Sequence, residues 1–399
     1  MNNLISYNEY MVYLVEFYDR DYLDNLISLL HRKYDAIYFL LCNDEKSRKK
    51  EMLEDFIDKY FHIPCHFIKI DGQNLSKIVV ELEGFLNDSD EFDFDVTGGC
   101  ELLAVGLGML MNKNRYHLNI HKYSVINDKL FFNAGNNTTS YDCEDKRALI
   151  EEVVALNGGK LISEDNYSYG DHRFRTEVLR LWQCLKKLSN EWNRFCSLSC
   201  EKIDENTYVR KLEKKNDYIY SMRIMRSLNK FKIIKQYEFY KSKEKQYLRY
   251  SFTDKKQTTE LYFKAGSILE TYGALAIYES GCFQDVHNSV QIDLNGIITG
   301  LPADPRNEID IMMLFRHTPV FVSCKNTQIT KEYLYEIKVM SKQYGGKYGV
   351  AVVLSTRKTI EPAVQRAKEM SIILIDNLAD CSLNELKEKL CQYFPQEVL

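Results

Sequence analysis

Two short runs carry the residue types of metal-assisted hydrolysis, Asn307-Glu308-Ile309-Asp310 and Val322-Ser323-Cys324-Lys325. Between them the chain reads as two apolar strands, Ile309–Phe315 and Thr318–Cys324, joined by a turn near Arg316-His317-Thr318-Pro319. Asp310 begins one strand and Lys325 ends the next, so an antiparallel pairing brings carboxylate and ammonium to one edge. A carboxylate there can hold a hard divalent cation, Mn²⁺ or Mg²⁺, with water and phosphate oxygens as further ligands. The lysine can orient or help deprotonate an attacking water and stabilise charge on a phosphate. Glu270, on a helix read over Ala265–Tyr278 with Ser267 as its N-cap, adds another acid. Asp293 on the strand Val290–Leu294 is a further candidate, and Glu308 shares the strand face of Asp310 by the two-residue period.

A second set lies near the N-terminus. The strand Phe92–Val96 runs into Thr97-Gly98-Gly99-Cys100 and then a helix from Glu101. Two glycines at such a turn let the backbone approach a ligand closely, and the helix start offers N–H groups to an anion. Thr97 adds a hydroxyl. The end of the first strand, with Phe17 and Tyr18, is expected beside this turn, where the two rings can stack on a base. There is no G-x-G-x-x-G after the first strand and no P-loop lysine, which disfavours NAD binding and ATP hydrolysis.

The elements that must position these sets follow from the pattern. Apolar runs at Val12–Phe17, Ala36–Cys42, Cys65–Ile70 and Phe92–Val96 alternate with helical stretches at Asp21–Tyr34, Lys46–Tyr60, Leu75–Phe85 and Glu101–Met111. This βαβ alternation implies a parallel, doubly wound α/β sheet, closed by a hairpin of Leu118–Val125 and Leu130–Asn133. Residues 134–165 are polar and turn-rich, as a boundary would be, and helices follow at Arg175–Leu188 and Ser189–Cys196. After the hairpin that carries Asp310 and Lys325, helices at Lys331–Gln343, Ile360–Met370 and Asn384–Tyr393 alternate with strands Tyr348–Leu354 and Ile372–Ile375. The expected division is 1–145 for ligand binding, 146–256 as a connector and 257–399 for chemistry.

The 399 residues hold 53 Lys and Arg against 57 Asp and Glu, a net charge of −4 that excludes a general coat for nucleic acid. The charge is segregated, however. Residues 201–256 contain sixteen basic and eight acidic side chains, a local +8 interleaved with tyrosines, which leaves −12 on the remainder. Such a stretch can bind phosphates and stack bases, or it can be an antiparallel sheet with solvated lysines. Eleven cysteines occur with no C-x-x-C pair, the N-terminal residues are polar, and no apolar run approaches 18 residues. These features predict a cytoplasmic protein off the membrane whose thiols are reduced core residues, with neither disulfide nor zinc.

The helix acid, hairpin acid and strand lysine stand in the order of the PD-(D/E)xK restriction-endonuclease-like superfamily, which this part of the chain resembles. The resemblance makes Glu270 the first-helix acid, Asp310 the central metal ligand and Lys325 the motif lysine. It also places Lys342 and Gln343 at an auxiliary polar position. The chain departs from the pattern at Ser323, where the superfamily has an acid, and Glu308 is the carboxylate available to replace it. Asp95-Val96-Thr97-Gly98-Gly99, at the end of a strand in a Rossmann-like domain, resembles the CARF domain of CRISPR-associated proteins.

Both ends together resemble the single-CARF ancillary nucleases of type III CRISPR systems. That resemblance implies a homodimer that binds cyclic tetra-adenylate, its phosphates near Thr97–Cys100 and its adenines near Phe17 and Tyr18. It further implies a metal-dependent endonuclease acting on single-stranded DNA and RNA and nicking supercoiled DNA. Two other functions fit the residues: a ligand-responsive regulator whose nuclease fold is inactive, suggested by Ser323, and a constitutive DNA-processing nuclease.

Overall fold

The computed structural model describes residues 10–19, 22–42, 47–125, 127–135, 137–143, 147–165, 167–253, 264–293 and 306–394. Asp21, Lys46 and Leu294, expected at element ends, and Lys255 and Lys256 of the basic stretch lie outside them. Three sheets organise the described residues.

The first sheet takes β1 (Val12–Phe17), β2 (Ala36–Leu41), β3 (Cys65–Lys69), β4 (Glu91–Asp95), β5 (His117–Ser124), β6 (Lys129–Ala134) and β7 (Asn137–Asp142). Their order is β3-β2-β1-β4-β5-β6-β7, parallel through β5 and antiparallel thereafter. Strands β1 and β2 are nearly continuous apolar runs, as expected where helices cover both faces, whereas β4 alternates Phe92 and Phe94 with Glu91, Asp93 and Asp95. Those helices are α1 (Ile27–His31), α2 (Ser47–Phe61), α3 (Leu75–Glu83) and α4 (Glu101–Met111). Only five residues of the expected first helix are α-helical; Tyr22–Asn25 is a 3₁₀ turn.

The polar stretch after β6, read from the sequence as turn-rich, is structured. It forms β7, α5 (Ile150–Leu156) and β8 (Lys160–Asp165). Strand β8 then leaves the first sheet and becomes the edge strand of the third. Polar residues suffice at β7 because it is an edge with every position exposed.

Helices α6 (His172–Leu185), α7 (Ser189–Ser197) and α8 (Lys215–Lys230) pack with an antiparallel sheet. Its strands are β9 (Cys200–Lys202), β10 (Thr207–Leu212), β11 (Ile234–Ser242) and β12 (Lys245–Phe252), in the order β11-β12-β10-β9. Part of the aromatic character and one of the basic groups of this stretch serve packing. Tyr208 and Tyr250 are buried, and the buried Arg210 guanidinium donates to the carbonyls of Phe195 at 3.0 Å and Leu198 at 2.9 Å. Lys235, Lys241, Lys243, Lys245 and Arg249 remain exposed.

The third unit comprises α9 (Ser267–Ser280), β13 (Gln284–Asp293), β14 (Arg306–Phe315), β15 (Thr318–Lys325), α10 (Lys331–Gly345), β16 (Val350–Ser355), α11 (Glu361–Glu369), β17 (Ile372–Ile375) and α12 (Leu383–Tyr393). Its mixed sheet runs β17-β16-β15-β14-β13-β8. Helix α9 is buried from Ser267 to Ile277, enclosed by the sheet on one side and by α6 and α12 on the other. Trp182 of α6 stacks on Tyr272 of α9 with ring centroids 4.2 Å apart. Ser267 does not cap this helix: its hydroxyl donates to the Lys264 carbonyl, and Gly266 holds the N-cap position. Cys282 and Cys391 form a disulfide that ties the end of α9 to α12, against the expectation of reduced thiols throughout. One hydrophobic cluster runs from Leu14 and Ile37 of the first sheet to Phe321 and Val353 of the third, so the two units share a core.

Candidate functional site

The β14–β15 hairpin is built as its spacing requires. Ile311 pairs with Val322 and Phe315 with Thr318, leaving Arg316-His317 as a two-residue turn with Arg316 at φ +57°. Asp310 therefore stands level with Ser323, and Lys325 lies two residues beyond. Next to Asp310 the sheet breaks its alternation. Ile309 and Ile311 should share a face, yet Ile309 packs in the cluster toward α10 and Ile311 in the cluster toward α9. Across from this switch, Ser289 of β13 adopts φ +51°. The irregularity brings the Asp310 carboxylate within electrostatic reach of Glu270 on α9 while it still meets β15.

Three contacts fix that carboxylate. Asp310 Oδ2 accepts from the Cys324 backbone N–H at 2.5 Å and the Ser323 hydroxyl at 3.3 Å, and lies 3.9 Å from Lys325 Nζ. The ammonium of Lys325 is in turn placed 4.9 Å from the centroid of the Tyr333 ring on α10. Glu270 is buried on α9, whereas Glu308 is exposed. Burial, then the negative charges of Asp310 and Glu308, push the Glu270 carboxyl up to about 8. Burial also raises Asp310, against the opposing effect of Lys325. Three acids that repel one another around one ammonium could hold added positive charge, and their oxygen donors suit a hard divalent ion.

Asp293 is not brought into this set. Asp310 stands level with Ser289, so Asp293 lies four residues further along β13, roughly 13 Å from it at strand spacing, opposite Arg306. Its charge is felt by Tyr344 instead. Lys342 and Gln343 are exposed on α10 nine and ten residues beyond Tyr333, about 14 Å along the helix, and are equally remote. Tyr333 is the residue that the sequence reading missed; an aromatic on a helix face carries no signal of the cation it will meet.

At the first sheet, Thr97–Cys100 does join the C-terminal ends of β4 and β1. Gly99 has φ +82°, and a Cβ there would overlap the Phe17 side chain; a Cβ on Gly98 would meet Asp19 Cβ at 2.6 Å. Both glycines are thus required by the fold itself. Thr97 N–H donates to Asp95 Oδ1 at 2.7 Å, and its hydroxyl oxygen accepts from Tyr123 N–H at 2.9 Å. Cys100 is the N-cap of α4 without a capping side-chain bond, and its Sγ lies 3.3 Å from Cys42 Sγ.

The stacking role expected of Phe17 is corrected: its side chain is 1% exposed and meets Phe94 edge-on at 6.2 Å. Phe17 shapes the turn from below. Tyr18 is half-buried and edge-on to Phe39 at 6.3 Å.

Beneath this edge lie three buried carboxylates, Glu16, Asp24 and Asp95. Burial raises all three, Asp95 to about 6 despite hydrogen bonds from Ser28 and Thr97. Asp24 reaches the third unit, pairing with Lys347 and accepting from Tyr348 Oη at 2.7 Å. Asn25, its neighbour, exchanges hydrogen bonds with the Asp19 backbone beside Gly98, at 3.3 and 3.1 Å. A contiguous set of contacts therefore runs from the glycine turn to the segment that follows α10, the helix carrying Tyr333.

A cavity of about 550 Å³ lies elsewhere, at the opposite edge of the first sheet among Asp90, Glu91, Tyr116, His117 and Asn119. It contains none of the residues above, and parallel doubly wound sheets bind ligands at the other edge. Among the described residues no helix is long and apolar enough to cross a membrane.

No protein-family model matches the chain, and no curated protein matches it. Two solved structures share its fold along nearly its whole length. Protein VC1899 from Vibrio cholerae gives a TM-score of 0.70 at 19% identity, covering 96% of this chain and 98% of that one. Can2 from Sulfobacillus thermosulfidooxidans, solved in complex with cyclic tetra-adenylate, gives 0.66 at 15% identity, covering 96% and 97%. The α/β fold expected from the sequence, a Rossmann-like parallel sheet followed by a second α/β unit, is the fold this chain shares with them.

Proposed function

We propose that the chain is a cyclic-tetra-adenylate-activated, divalent-metal-dependent endonuclease of CRISPR antiviral defence, acting on single-stranded DNA and RNA and nicking supercoiled DNA. The observation that carries this reading is the convergence of Glu270, Glu308, Asp310 and Lys325 from three elements onto one partly buried centre. Asp310, Glu308 and Glu270 would hold Mn²⁺ or Mg²⁺, and the ion when bound supplies Lewis acidity and an acidified water. The cysteine N–H holds Asp310 in one orientation, and Tyr333 and Asp310 hold the Lys325 ammonium where it can donate to the attacking water or the phosphate. Glu270, neutral at pH 7 without a cation, gives up its proton when positive charge enters. The exposed lysines of β11 and β12 offer a positive face to a nucleic-acid backbone.

The activator reading rests on the glycine turn at the uncapped start of α4 and on the fold shared with a cyclic-tetra-adenylate complex. A homodimer accounts for the apolar residues left exposed beside that turn: Leu102, Val105 and Met109 on α4 and Val80 on α3. A two-fold activator then meets two copies of the same loops. Contacts through Asn25, Asp24 and Lys347 would couple its binding to the second site.

Cleavage of labelled single-stranded DNA and RNA, and of supercoiled plasmid, with Mn²⁺ and with or without cyclic tetra-adenylate tests the proposal. Activator-dependent cleavage supports it. Ser323 favours a second reading, a ligand-responsive regulator with an inactive nuclease fold, because its hydroxyl occupies the place of an acid beside Asp310. Activator binding with no cleavage under any divalent metal would establish that alternative, and cleavage indifferent to the activator would point to a constitutive nuclease.

A further inference from the structure

His31 ends α1, Cys143 directly follows β7, and His317 occupies the turn between β14 and β15. One potential ligand atom from each lies within 4.8 Å of the other two. Cys143 and His317 are 0% and 1% exposed. Both ring nitrogens of His317 lie buried without a hydrogen-bond partner among the described residues. A buried imidazole with neither nitrogen engaged is unfavourable, since it has lost water at both and gained nothing in exchange. We propose that His31, Cys143 and His317 form a structural zinc site that staples the first sheet's unit to the hairpin bearing Asp310 and Lys325.

The donor set selects the ion. Two imidazoles and a thiolate suit zinc and disfavour the hard Mg²⁺ or Mn²⁺ of an all-oxygen centre. Tetrahedral zinc holds its ligand atoms roughly 3.3–3.8 Å apart, so only a small inward shift closes the cluster. Burial keeps His317 neutral, its pKa lowered to about 4, which is the ligand form. It raises the Cys143 thiol to about 11, so binding must break the S–H bond, form S–Zn and release the proton to solvent.

The surroundings supply the remaining shell. Asp128 is buried, accepts from Tyr123 Oη at 2.9 Å and pairs with Arg147 at 2.5 Å; its charge acts on both Cys143 and His317. Arg316 lies 3.9 Å from the same carboxylate, so neither arginine faces the site without a counter-charge. Asp128 acts on Cys143 and His317 through its charge and accepts no hydrogen bond from His317, and water would complete the fourth position.

The test is the metal content of untagged full-length protein, measured by mass spectrometry after exhaustive dialysis. About one zinc per chain is expected in the wild type and in Asp310→Ala, and under about a tenth in Cys143→Ser and in His317→Gln. Equal zinc in the two site variants and the wild type overturns the proposal, as does a wild type that takes up none from zinc-containing buffer. Because the variants can fail to fold, cobalt-loaded wild-type protein provides an independent reading. A thiolate-to-cobalt charge-transfer band with tetrahedral ligand-field bands supports the site, and their absence overturns it.

Discussion

The two candidate sites differ in what they are made of. The edge formed by β1 and β4 is a backbone site: a glycine turn, the N–H groups of a helix start, and carboxylates buried below rather than presented. The centre on β14 and β15 is a side-chain site, in which three carboxylates from α9 and β14 face one lysine from β15. A backbone site recognises shape and anionic charge with little chemistry of its own, as befits a receptor. A site of repelling carboxylates stays partly protonated, as Glu270 does, until a cation enters. Substitutions should therefore separate the two, with chemistry lost at one and recognition lost at the other.

The largest effect is expected at the side-chain site. Asp310→Ala or Lys325→Ala should lower cleavage by about 10³-fold or more while activator affinity, measured by calorimetry, stays unchanged. Normal cleavage by both variants would break the comparison outright. Next comes the buried carboxyl beneath the backbone site. Folded Asp95 keeps its proton to about pH 6, whereas its ordinary value is 3.8, so the folded state binds more protons in between. Its stabilising effect is complete below the lower value and is lost as pH rises through the upper one. Asp95→Asn should remove up to about 3 kcal/mol of that fall in unfolding free energy, with Glu16 leaving a residual slope of the same sign. An unchanged slope in denaturation experiments at several pH values would refute the assignment.

Gly99→Val should cost about 1–3 kcal/mol in strain and overlap with Phe17, weakening activator binding at least tenfold with metal-dependent chemistry intact. Ser323→Glu restores a carboxylate beside Asp310 and should tighten Mn²⁺ binding about tenfold by titration calorimetry. Weaker binding would mean that Glu308 already completes the set. The smallest effect is expected between the sites: Lys347→Ala should leave activator binding intact and reduce activated cleavage a few-fold, because it removes the partner of the buried Asp24. Activation at full strength would show that the coupling runs elsewhere.

Much of this was readable before folding. The βαβ rhythm and hairpin follow from apolar periodicity, and Glu101–Met111 and Ile372–Ile375 form as expected, to the residue. Asp310, Ser323 and Lys325 are close because a two-residue turn leaves their register little choice. Phe17 was misread because an aromatic at a strand end has the same identity whether it lines a site or packs beneath one. The helical and strand character of 134–165 was hidden by polar composition, since an edge strand needs no apolar face.

The cysteines mark the limit most clearly. Spacing shows only near neighbours, and the pairs that matter are distant: Cys282 with Cys391, 109 residues apart, and Cys143 with histidines from both units. By itself the amino-acid order determined the elements, the hairpin and the glycine turn, because each depends on interactions within a few residues. Only the tertiary structure decided which acid of Glu270 and Asp293 joins the centre, that Tyr333 holds Lys325, and that Asp24 reaches Lys347. Those are meetings between elements far apart in sequence, set by how the sheets and helices bury their common core.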